Sequence, residues 1–240
     1  MKILLTEALR QVAEEVDRHT ALSAENSGMT PSCERGCHHC CRQLALTSTP
    51  EMLGCLCALG ERRFRQRWRE NKAMYERQLE LLAAPHNVSC KSWFLGQHDC
   101  FFLHDNECLV YSNRPVACRT HVSLSPAERC AANAPDPTMV VLRVSDIRTW
   151  AIQMHADIAE KLGLLSLGSA PIPIAMDVAV AFWSHGVAAA NEMMRRHGID
   201  TAEGTLARWG HIEGKVIELP LHVSASRKPV AAAAGQSPTC

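Results

Sequence analysis

The chain is poor in aromatics, which make up 5% of its 240 residues and include only two tyrosines. It has no net charge, with 25 basic and 25 acidic side chains. A neutral balance argues against a general polyanion binder, and nucleic acid is not an expected partner. No apolar run approaches the roughly 20 residues that a membrane span needs. The N-terminal MKILLTEALRQVAEEVDRH lacks the apolar h-region and small-residue cleavage site of a secretory signal. No Ser/His/Asp set, Walker loop, dinucleotide fingerprint or internal repeat is visible. What the chain has in excess is sulfur: 12 Cys, beside 12 His, within a composition that is 47% hydrophobic and able to bury a core.

The compartment decides how those thiols are read. Without a secretory signal the expectation is a reducing cytoplasm, where clustered cysteines bind metal or do redox chemistry rather than form structural disulfides. Four of them, Cys33, Cys37, Cys40 and Cys41, fall in the string CERGCHHCC. Three more, Cys100, Cys108 and Cys118, lie in CFFLHDNECLVYSNRPVACR. The two-residue gap between Cys37 and Cys40 lets both thiolates reach one ion from a tight turn, and Gly36 relaxes the backbone before it. Adjacent side chains such as Cys40 and Cys41 are expected to diverge, so that one small tetrahedral site takes both only with strain and Cys41 serves a second metal or a bridge. Seven thiolates exceed the four of one structural zinc site, which points to more than one metal atom or to a site completed by histidine. His38, His39, His104 and His121 are near enough in sequence to take part. Arg35, Arg42, Arg114 and Arg119 stand beside the cysteines and are read as donors that offset thiolate charge.

The paired strings closely resemble the YkgJ-like cysteine-cluster family, a zinc- or iron-chelating domain type. The second string carries its pattern of Cys100, Cys108, Leu109, Tyr111, Arg114, Pro115, Cys118 and Arg119. The resemblance spans about 33–121. It implies metal chelation by Cys33, Cys37, Cys40, Cys41, Cys100, Cys108 and Cys118, with Tyr111, Arg114 and Arg119 around the bound group. Zinc, iron or an iron–sulfur cluster all remain open as the cofactor. Some proteins with this domain are flagellin lysine methylases. The resemblance therefore also admits an iron–sulfur enzyme that modifies a protein or peptide, for example a methyl transferase. The spacing of Cys33, Cys37 and Cys40 is similar to the radical S-adenosylmethionine motif, although here a helix and a polar loop precede it rather than a barrel strand.

The expected fold is mainly α: a helical domain with an irregular cysteine-rich metal-binding loop region. A Cys-rich region with flanking helices over 1–135 gives way, near APDPT at 134–138, to a helical region over 136–222 packing on it. A disordered tail follows over 223–240, ending in a free Cys240. The periodicity predicts an amphipathic helix over 2–22 and a loop over 23–32. A helix capped by Thr49 runs to about Ala84, either whole or broken near Gly60. A capping box over 125–128 opens a short helix carrying Cys130. One helix is expected from Ser145 or Asp146 to Gly163 and another from Ile174 to His197, with a short strand within 214–222. Cys55, Cys57, His155 and His185 read as core residues, and Cys90 and Cys130 as candidate additional ligands. The arginines of ERRFRQRWRE (61–70) form a solvated face over Phe64 and Trp68. Asp99 and Asp105 read as turn residues. The partners implied are a metal ion or cluster and a protein or peptide, with no membrane.

Overall fold

The computed structural model describes residues 2–84, 88, 92, 93, 96, 98–131, 141, 142, 144–165 and 168–201. Cys90, Cys240, the 134–138 boundary, the 214–222 strand and the 223–240 tail lie outside the described residues. The fold is mainly α, with helices α1 (Lys2–Ser27), α2 (Thr49–Leu59), α3 (Glu61–Ala83), α4 (Val116–Thr120), α5 (Ser145–Lys161), α6 (Ile172–His185) and α7 (Val187–His197). Three antiparallel two-stranded ladders join them. These are β1 (Leu46–Ser48) with β6 (Ser169–Pro171), β2 (Leu103–His104) with β3 (Glu107–Cys108), and β4 (Val122–Ser123) with β5 (Val141–Leu142). Among the described residues no helix is long and apolar enough to cross a membrane.

Glycine sets most of the helix boundaries. α1 runs past the expected loop at residue 23 because Ser23 and Ala24 are buried, and it stops only where Gly28 takes φ 68°. Gly60, at φ 77°, separates α2 from α3. The helix expected to run unbroken from Ile174 to His197 is instead two: Gly186 adopts φ 82° and turns the chain between α6 and α7. Only glycine enters that backbone region cheaply, and the break lets Ile174 and Val178 of α6 share a core cluster with Ala190 and Met194 of α7. His185 ends α6 and is exposed, so it is not a core histidine.

The cap of α2 sits one residue earlier than the sequence suggests. Ser48, not Thr49, is the N-cap: its hydroxyl accepts from the Glu51 amide, and the Glu51 carboxylate accepts from the Ser48 amide at 2.9 Å. This reciprocal pair satisfies two amides that a helix start leaves without partners. The buried Glu51 also accepts from the Val116 amide at 2.6 Å, tying α2 to the start of α4, and lies 3.6 Å from the buried His155 on α5. The expected box over 125–128 does not form. Its single 3-10 turn, Ala127–Cys130, has Pro126 at its N-cap and no side-chain cap.

Two apolar clusters fill the centre. One gathers Met52, Leu53, Leu56, Tyr75, Phe101, Phe102 and Met176, the other Leu44, Leu82, Ile174, Val178 and Met194. Cys55 belongs to the first and donates to the Asn113 carbonyl at 3.1 Å. Helices from both sides of the 134–138 segment contribute to each. A smaller cluster packs Val12 and Val16 of α1 on Val116, Ile147 and Ala151.

Because Glu51 serves the α2 cap and the α4 start at once, Glu51→Ala is expected to cost about 2–3 kcal/mol, as loss of a buried charged hydrogen-bonding group does. Urea denaturation measures it, and a loss under about 0.5 kcal/mol, the ordinary effect of a surface change, would contradict the assignment.

Candidate metal centre

The two cysteine strings are sewn together by the backbone. The Cys100 amide donates to the Cys41 carbonyl at 2.8 Å, and the Ser32 amide donates to the Ser123 carbonyl at 2.9 Å. Side chains repeat the link: Arg42 donates to Asp99 at 2.8 Å, and the side-chain amide of Gln43 meets the His121 ring at 3.1 Å. Gln78 of α3 holds the Asp99 carbonyl at 2.9 Å. Asp99 is thus an anchor between loops, not a lone turn residue.

Each sulfur is positioned by a short local element. Cys40 and Cys41 lie in a 3-10 turn, His39–Arg42. Cys108 sits on the β2–β3 hairpin opposite Leu103, and the two-residue turn is made by Asp105 and Asn106 at φ 49° and 63°. Such positive values suit a hairpin turn and are tolerated by Asp and Asn. Arg67 of α3 is buried and clamps the hairpin, donating to the Leu103 carbonyl at 2.7 Å and the Phe101 carbonyl at 3.3 Å. It was expected on a solvated face; only its neighbours along α3 are. Cys118 is carried by α4, which opens after Pro115.

These elements place Cys33, Cys37, Cys40, Cys41, Cys100, Cys108 and Cys118 along the wall of one cavity of about 320 Å³. Tyr111, Arg114, Arg119 and His121 line it too, as do Asp17, Thr20, Ala21 and Ala24 of α1. None of the ten described cysteines is joined in a disulfide. Among the described residues no three Cys, His, Asp or Glu side chains stand as a ready-made coordination shell.

The electrostatics are those of crowded, desolvated sulfur. Removal from water pushes Cys100 up to about 12 and Cys118 well above the ordinary thiol value, and neighbouring thiolates add to both. Cys33, Cys37 and Cys108 are raised first by burial as well. Cys40 moves the other way, to about 7, because the Cys41 thiol donates to its sulfur and Arg114 lies near. Cys41 is raised by the same hydrogen bond. Arg114 is the cation that favours thiolate at Cys40, Cys108 and Cys118, with its guanidinium 4.0 Å above the Tyr111 ring. Arg119 spends its donors on Asp17, at 2.5 Å, and on the carbonyls of Arg114 and Ser112, while Arg42 spends its own on Asp99. These two therefore brace the loops through oxygen rather than donating to sulfur.

His121 faces the cavity with its pKa lowered by burial. His104 turns instead toward Arg67 and Asp105, and His38 stacks on His39 at 4.7 Å. Cys130, a candidate additional ligand in the sequence, lies beyond the Cys100–Arg119 string. It is buried in the 127–130 turn, which packs on the 39–42 turn, and its charge is felt by Cys33 and Cys37.

A cavity walled by thiols, with the Arg114 guanidinium favouring thiolate at three of them, has the donor chemistry of a soft-metal-binding centre, since thiolate is the ligand that zinc and iron–sulfur sites share. In agreement, residues 32–134 match the CxxCxxCC family model, described as a zinc- or iron-chelating domain. The match covers under half of the chain but includes the whole sulfur cluster. No curated protein and no solved structure gives a match.

In the metal-free chain, Cys100, Cys118 and the buried Cys55 stay neutral where an unfolded chain would ionise them, near 9.0. Their contribution to stability is full below that pH and is lost as pH rises through it toward 12. The melting temperature of metal-free, reduced protein is expected to fall steadily between pH 8 and 10.5. A flat profile would contradict this desolvation.

Proposed function

We propose that the protein is a cytoplasmic metal-binding protein that takes zinc or iron through Cys33, Cys37, Cys40, Cys41, Cys100, Cys108 and Cys118. The observation that carries this reading is the meeting of all seven sulfurs on one cavity wall. The donor set fits a soft ion: thiols that burial keeps protonated are stabilised as thiolates by a cation at their centre, and each releases its proton on binding. A bound ion would cross-link the 33–41, 100–108 and 118 segments. A structural zinc site contributes on the order of 10 kcal/mol to folding of this kind. Arg114 and Tyr111 would border the centre, Arg114 offsetting its excess negative charge and Arg119 holding α1 against α4. The region over 1–135 is the chelating unit, and the helical region after 136 is the frame on which its loops are pinned, with a surface for a protein or peptide partner.

A second reading, an iron–sulfur enzyme acting on a protein or peptide, is favoured by one feature. The α1 residues that line the cavity carry no sulfur, and among the described residues the buried Thr20 hydroxyl there has no hydrogen-bond partner. A substrate group would occupy that side, next to the sulfur wall.

Elemental analysis and an optical spectrum of anaerobically purified protein separate the two. Colourless protein with stoichiometric zinc supports the chelating reading. Brown protein with acid-labile sulfide supports the enzyme. Joint replacement of Cys37, Cys40, Cys108 and Cys118 by Ala is expected to abolish metal in either case, and unchanged content would end both.

A further inference from the structure

A second cavity, of about 340 Å³, lies among α1, α2, α4 and α5, and no cysteine lines it. Its volume is at the small end of the range for ligand pockets. We propose that it binds a small free amino acid with an apolar side chain, the carboxylate taken by Arg114 and His155 and the ammonium by Asp17 and Glu14. The site stands whether or not the thiols hold an ion.

Most of the charged groups around this cavity are already spent on one another. Arg119 gives its three donor nitrogens to Asp17 and to the carbonyls of Arg114 and Ser112. Arg10 gives its own to Glu7 and Glu14. Glu51 accepts from the Val116 and Ser48 amides and from the Ser48 and Thr47 hydroxyls. Arg114 differs. Its Nε is buried and, among the described residues, has no hydrogen-bond partner, while its guanidinium stacks 4.0 Å from the Tyr111 ring. His155 is the second unspent group. It is 3% exposed and lines the cavity, and its Nδ1 stands 3.6 Å from Glu51, beyond hydrogen-bond length. Buried nitrogens without acceptors are costly, and a carboxylate satisfies a guanidinium and an imidazole N–H together.

The balance of charge sets the rest of the ligand. Three guanidiniums, of Arg10, Arg114 and Arg119, face three carboxylates, of Glu14, Asp17 and Glu51. A molecule carrying one charge of each sign enters without upsetting that balance. Asp17 meets Arg119 through Oδ2 and Glu14 meets Arg10 through Oε1. A carboxylate has about four lone-pair sites, so both keep capacity for an ammonium. Arg119, bonded at once to the Arg114 carbonyl at 2.9 Å and to Asp17 at 2.5 Å, ties the two ends of this recognition set together. Between them Leu9, Ala13, Gly54 and Val116 supply apolar surface for a side chain. A Cβ on Gly54 would lie 2.8 Å from a Leu9 methyl, so its absence lets Leu9 seat against α2.

The test uses the full chain, metal-free and reduced, titrated by calorimetry with L-alanine, L-valine, L-leucine and L-methionine. At least one is expected to bind. Its amide, which lacks the carboxylate, and its des-amino acid, which lacks the ammonium, are each expected to bind at least about tenfold more weakly. Arg114→Met and His155→Leu are expected to weaken binding by a similar factor. Ala13→Phe fills the cavity and removes no polar group; it is expected to abolish binding, and it serves if circular dichroism shows that His155→Leu does not fold. Failure of all four amino acids to bind overturns the proposal. So does equal binding of the amide or the des-amino acid, or undiminished binding in a folded Arg114→Met, His155→Leu or Ala13→Phe variant.

Discussion

The structure depends on a cost that the chain does not offset by itself, the crowding of partly desolvated thiols around one cavity. Seven sulfurs share that space, and Arg114 is the guanidinium that stands among them. Without a further cation the thiols that burial raises, such as Cys100 and Cys118, remain protonated at neutral pH, while Cys40, helped by the Cys41 thiol and Arg114, ionises near 7. A soft metal ion is the group that resolves this, taking the place of the protons and bonding to the sulfurs it neutralises.

The surrounding architecture serves to hold irregular loops still. Segments of this kind carry few backbone bonds of their own, so each is pinned from outside. Arg67 of α3 grips the carbonyls of the hairpin, Gln78 and Arg42 meet at Asp99, and Arg119 joins Asp17 of α1 to the carbonyls before α4. Glu51 links the α2 cap to α4 from beneath. The partners of Arg67 and Gln78 are main-chain carbonyls, while Arg42 and Arg119 also reach the carboxylates of Asp99 and Asp17.

Much of the site was legible in the sequence because metal-ligand spacing is local. CERGCHHCC and the run from Cys100 to Arg119 carried both the chemistry and the family resemblance, and the mainly α class followed from apolar periodicity. What escaped was what tertiary structure decides. Gly186 reads as an ordinary small residue in an apolar stretch until its positive φ turns the chain. Ser23 and Ala24 read as loop by composition, yet burial keeps them helical. Arg67 is one arginine of five in its run, and only the hairpin lying over it distinguishes it from its solvated neighbours. Cys130 was legible as a candidate additional ligand, but the packing of its turn on the 39–42 turn, some 90 residues away, needs the fold. The roles of Arg114 and Arg119 separate for the same reason: both flank Cys118 in sequence, but one faces sulfur and the other faces carboxylate and carbonyl oxygen.

The central claim is that sulfur from distant segments surrounds common ions. X-ray absorption at the metal edge of the loaded protein tests it most directly. The account predicts a first shell dominated by sulfur, at about 2.3 Å for zinc. A shell made mainly of nitrogen and oxygen would contradict it.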